Sequence, residues 1–304
     1  MSTTPDVLAG PAIQARPTTL SGRIVRALNK TPIHIMLGIV AVIWLAPTIG
    51  LLVTSFRPQA DIQATGWWQT LGTLRFTADN YASVLSSQGM LRSFINNLII
   101  SIPSTLLPVT IASLAAFAFS WIRFPLRDSM FLIIVGLMMV PAQVAFIPVL
   151  QLFQAVAPIT GNLLTGFVPI WLAHTAFALP FGIFLLRNFF ITLPKDLIEA
   201  ARIDGATTIG IFRTIVVPLS VPAIAAYGIF QFLWVWNDLL MALVFVQNAS
   251  NNPMTRQISS LLGQYGSEWH LLAASAFLLM VVPLIVFFSL QRYFVQGLLA
   301  GSVK

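Results

Sequence analysis

The chain has 304 residues, 57% of them hydrophobic and 8% charged, with no cysteine and a formal net charge of +7. A mean hydropathy of +0.87, carried by several apolar runs long enough to cross a bilayer, excludes a soluble globular protein. Without cysteine there is no disulfide, zinc-thiolate or thiol chemistry, and the positive charge is spread as membrane orientation requires rather than as a nucleic-acid surface.

Residues 1 to 32 are polar, contain Arg16, Arg23, Arg26 and Lys30, and lack an apolar core of their own, so they read as a cytoplasmic tail rather than a signal peptide. Six spans follow at about 33–55, 91–120, 129–150, 166–186, 215–246 and 271–291. An even number puts both termini on one side. Twelve Lys and Arg fall on the face holding the termini, the 121–128 turn and the 187–213 loop, against four (Arg57, Arg75, Arg92, Arg256) on the other, which orients the termini inward. Two external segments are long: 56–90, with Trp67, Trp68 and Tyr81, and 247–270. Their tryptophans suit the headgroup level.

Between residues 187 and 213 the chain interrupts its apolar pattern with seven charges: Arg187, Lys195, Asp196, Glu199, Arg202, Asp204 and Arg213. Pro194 suits a first helical turn, with Thr192 before it as a possible cap. Residues 194 to about 204 then form a short helix with Leu197, Ile198 and Ala201 as its apolar stripe. Gly205 stands where a chain leaving a helix needs a left-handed residue. Thr207 or Thr208 caps a second stretch running through Phe212 toward Pro218. Taken alone, such a loop is either a docking surface for a soluble partner or a solvated helix whose Glu199 pairs with Lys195 or Arg202.

The spacing Glu199-Ala200-Ala201, three residues, Gly205, nine residues, Ile215-Val216-Val217-Pro218 resembles the EAA signature of membrane subunits of binding-protein-dependent ABC importers. Val217 is a conservative departure from the usual Ile-x-Leu-Pro ending. Further stretches are similar to the second permease of maltose-type carbohydrate importers: Thr54-Ser55-Phe56-Arg57, Phe124-Pro125, Trp236-Asn237-Asp238, and the run from Gln291 to Lys304. Ser55 to Trp68, with its Gly66-Trp67-Trp68, looks nearest to permeases for α-glucosides or glucose.

The resemblance implies an all-α membrane protein with the type I ABC importer permease fold: a tail over 1–32, a six-helix permease domain over 33–296 and a short C-terminal tail over 297–304 that contacts the ATPase pair. It assigns ATPase docking to residues 194 to 208, where Glu199 would meet basic groups, Ala200 and Ala201 would allow close packing, and Asp204 and Gly205 would form the turn. The partners it implies are a second permease, an ATPase dimer holding ATP and magnesium, an extracytoplasmic solute-binding protein and a sugar, with this chain binding no cofactor itself, in a bacterial or archaeal cell membrane. An importer for another polar solute such as glycerol phosphate fits the same loop.

Asp238 is the only acid well inside a predicted span, and a buried carboxylate is costly enough that it should face the bundle or a wet cavity. Either Asn237 and Asp238 line a sugar path, with Trp234 and Trp236 stacking on sugar faces, or they lock helix to helix. His174, Asn96, Asn97 and Gln231 read as interhelical hydrogen-bond partners. Prolines 103, 108, 141, 180, 222 and 283 sit inside the spans, where each removes a backbone hydrogen bond and can kink its helix. The chain contains no GxxxxGK[ST], HExxH or GxSxG pattern, so it carries no recognisable ATP-binding, protease or hydrolase motif. An ion-driven secondary transporter would call for several intramembrane carboxylates and an internal repeat; only Asp238 is present and no repeat is visible.

Overall fold

The computed structural model describes residues 20–87, 89–160, 164–264 and 268–300, and among them there is no strand. Residues 1–19 of the expected N-terminal tail and 301–304 of the C-terminal tail lie outside the described residues. The chain to Leu51 is one compact unit and the chain from Leu52 a second. Most of helix α1, Leu20–Ser55, belongs to the first. Its apolar stretch, Thr31–Ser55, is long enough to cross a membrane.

In the second unit, α2 (Asp79–Ser87) precedes α3 (Met90–Trp121), which coincides with the second expected span. The expected third span, 129–150, is instead two helices, α4 (Arg127–Leu137) and α5 (Ala142–Thr160), of which only α5 is long and apolar enough to cross. The break falls at Met138–Pro141, because the proline ring drives the preceding residue out of the helical region. α6 (Val168–Phe190) matches the fourth span, and α7 (Lys195–Ile203) is the amphipathic helix after it.

The fifth span also departs from one straight helix over 215–246. Residues 208–219 and α8 (Val221–Trp236) meet at Ser220 with a 78° bend. Pro218 and Pro222 flank Ser220, and a five-residue π-helical turn, Phe212–Val216, precedes it, both recognised causes of sharp bends. α9 (Leu240–Phe245) and the amphipathic α10 (Met254–Gln264) lead to α11 (Trp269–Ala300). Five described helices can cross a membrane, or six if the bent pair is one span.

α3 packs along α6 and α8, and α8 along α11. Three hydrogen bonds between these helices have a common origin. A proline at position i leaves the carbonyl of residue i−4 without its donor, and hydrocarbon offers no water to replace it. In α3, Pro103 leaves the Ile99 carbonyl and Pro108 that of Ser104; in α11, Pro283 leaves that of Leu279. Trp171 Nε1 donates to Ile99 at 2.9 Å, Gln231 Nε2 to Ser104 at 3.1 Å and Trp236 Nε1 to Leu279 at 2.8 Å. Each backbone ladder interrupted by a proline is thus completed by a side chain of a neighbouring helix.

The 56–90 segment is organised around the buried Arg57, whose guanidinium donates to the carbonyls of Asp61 (2.8 Å) and Thr65 (3.1 Å). Asn80 Nδ2 donates to the carbonyls of Ser55 and Arg57, each at 2.9 Å. Val84, Met90, Met254, Leu261 and Leu271 then bury one apolar cluster that gathers α2, α10 and the starts of α3 and α11.

Candidate coupling site and membrane-embedded polar groups

α6 ends at Phe190, and Thr192 turns its hydroxyl back to the Phe189 carbonyl (2.7 Å) rather than capping α7. Pro194 occupies the cap position of α7 with φ −59° and ψ 121°, a geometry the ring's fixed φ permits, and makes no side-chain capping bond.

α7 has one buried anchor, Ile198, 1% exposed, in a cluster with Phe117, Phe119, Leu186, Phe190 and Ile211. Ala201 is half-buried, whereas Leu197 turns outward, so the apolar stripe is narrower than the sequence pattern suggests. Glu199, Ala200, Asp204 and Gly205 are exposed, as is Ile203 at 86%. The helix stops in a Schellman motif: Ala206 N–H donates to the Ala201 carbonyl (2.9 Å) and Gly205 N–H to that of Arg202 (3.1 Å). Gly205 takes φ +82°, a left-handed conformation that explains the glycine. Thr207 Oγ1 then accepts from Gly210 N–H at 3.1 Å and caps the next turn. Arg202 donates from Nη2 to the Trp121 carbonyl at the end of α3 (2.8 Å).

The four polar or aromatic positions of the fifth span do not share one surface. Trp234 is 73% exposed, while Trp236 is fully buried, stacked on Phe232 at 5.5 Å and edge-on to Phe94 at 5.9 Å. Asn237 donates back to the Leu233 carbonyl (2.8 Å). Asp238 lies in the break between α8 and α9, not within a helix, and its Oδ1 accepts from Met241 N–H at 3.3 Å. Its Oδ2 is 3.7 Å from His174 Nε2 of α6, and its carbonyl accepts from Thr255 at 3.0 Å. Asn97 donates to the Trp236 carbonyl (3.3 Å), and Asn96 reaches the carbonyls of Ser250 (2.9 Å) and Asn252 (3.1 Å). Those two asparagines and Gln231 therefore join elements by hydrogen bonds, as their placement in apolar spans suggests, while His174 lies beside Asp238 beyond hydrogen-bond distance.

Residues 108–299, which include the whole of α7 and the bent fifth span, match the model of the binding-protein-dependent transport system inner membrane component family. The chain belongs to that family. It is a multi-pass inner-membrane transport component, with the all-helical type I permease fold. The osmoprotective compounds uptake permease protein GgtD of Synechocystis sp. is 50% identical over 281 residues, covering 91% of this chain and 93% of that protein. The alpha-glucoside transport system permease protein AglG of Rhizobium meliloti is 52% identical over 231 residues, 76% of this chain and 61% of that one. Among solved structures, a bacterial ABC transporter involved in import of the acidic polysaccharide alginate aligns with a TM-score of 0.69 at 23% identity, covering 91% of this chain and 98% of that chain.

For a member of this family, the proline-matched donors were the part hardest to find in sequence. The prolines and the polar residues are both visible there, but which carbonyl meets which donor depends on helix register and packing.

Proposed function

We propose that this chain is one of two membrane subunits of an ATP-driven carbohydrate importer, with α7 as the helix that docks on the ATPase. The observation that carries the reading is the exposed surface of Glu199, Ala200, Ile203, Asp204 and Gly205 on a helix anchored to the bundle by Ile198. Such a helix can be pushed from outside and pass the displacement to the spans. An ATPase dimer would hold ATP and magnesium, leaving this chain without a cofactor. A second permease would complete the pathway, and an extracytoplasmic binding protein would deliver the solute to the external segments.

Sugar as the solute class, α-glucosides in particular, is supported by the likeness to the alpha-glucoside permease and by Gly66-Trp67-Trp68. Asn237, Asp238 and Trp234 are the positions we assign to the solute path, with Trp236 anchoring the end of α8 beside them. Both termini would lie in the cytoplasm, on the side of α7. Purification of the tagged chain from its host in mild detergent, followed by mass spectrometry, tests the assembly. An ATPase and a second permease should co-purify; recovery of this chain alone, with transport intact, would favour an ion-driven transporter instead.

A further inference from the structure

α3 has 32 residues and so runs about 48 Å, longer than the roughly 30 Å hydrocarbon layer. Both of its ends are tied to segments outside the bundle core. At one end Arg202 of α7 donates to the Trp121 carbonyl, one of the last carbonyls of α3, which have no partner within the helix. At the other, the buried Asn96 holds the external Ala249–Asn252 turn through two carbonyls, and Asn97 holds the end of α8. Pro103 and Pro108 would soften the helix between these ends, but Trp171 and Gln231 bond the carbonyls those prolines leave open.

We infer that α3 is the strut through which an event at the external 247–270 segment reaches the docking helix, with Asn96 and Arg202 as positioning residues at its two joints. The inference rests on the proposed importer function, because it needs a partner at each end. A displacement of the Ala249–Asn252 turn moves Asn96 and the outer end of α3, and the inner end moves α7 through Arg202 and the core around Ile198. Neither residue has to touch solute or nucleotide.

The test uses the complete complex in lipid nanodiscs, with ATP hydrolysis measured alone and with binding protein plus maltose, sucrose or trehalose. The reading is the ratio of stimulated to basal hydrolysis per complex. Asn96→Ala and Arg202→Ala should each lower that ratio at least about fivefold, and Arg202→Lys, which keeps a donor and a charge, should recover part of it. Because the joints act in series, the double variant should be no worse than the weaker single variant. Asn96→Leu, which keeps the approximate volume and loses the donors without burying a charge, should lower the ratio as Asn96→Ala does and so guards against a cavity defect in the alanine variant. Wild-type ratios in all single variants, or losses that multiply in the double variant, would overturn the strut. A wild-type complex that responds to none of the three sugars would instead remove the α-glucoside reading of the proposed function, which fails separately from the strut.

Discussion

Gly182 and Tyr227 show how closely α6 and α8 approach. A Cβ on Gly182 would run into the Tyr227 ring, whose hydroxyl donates to the Ala178 carbonyl at 3.0 Å. Tyr227 is fully buried and cannot swing into open space. Gly182→Ala should therefore destabilise the bundle by about 1–3 kcal/mol, the usual cost of overpacking, read as a lower thermal midpoint in detergent. The proline-matched donors give a sharper test. Gln231→Leu leaves the Ser104 carbonyl without a donor, at a cost of about 0.5–1.5 kcal/mol inside a membrane bundle. In a Pro108→Ala background the helix can supply its own donor, so the same substitution should cost less. Equal costs in the two backgrounds would mean that Gln231 does not serve the proline break.

At the scale of elements, α7 depends on one buried anchor and one glycine turn. Nothing lies within 4 Å of a Cβ placed on Gly205, so the local cost of a side chain there is conformational, roughly 1–2 kcal/mol. Gly205→Asp should consequently leave the protein inserted but reduce uptake sharply, since the turn and the docking surface change together; unchanged uptake would argue against docking at this helix. The helix, its glycine stop and the Thr207 cap were legible because each rests on local chemistry. The third span was not, since an apolar run cannot reveal that Pro141 ends one helix and starts another. Asp238 was likewise placed inside a helix by hydropathy, although its carboxylate competes for backbone donors and caps α9 instead.

At the scale of the molecule, topology turns on whether the bent pair crosses the membrane. Five helices would put the termini on opposite faces and six on the same face, and the 78° bend at Ser220 is compatible with either a broken span or a re-entrant loop. The twelve-to-four distribution of Lys and Arg favours six, because it holds only if the 187–213 loop and both termini share a face. The natural absence of cysteine makes a direct test available. Gln63→Cys, Asp128→Cys and Ala249→Cys each place one thiol at an exposed position. In intact spheroplasts a membrane-impermeant maleimide should label Gln63→Cys and Ala249→Cys, and should reach Asp128→Cys only after permeabilisation. Ala249→Cys labelled together with Asp128→Cys would make 208–236 a re-entrant loop. Asp128→Cys labelled from outside would place the arginine-rich turn and α7 away from cytoplasmic ATP, and a helix there could not couple to an ATPase.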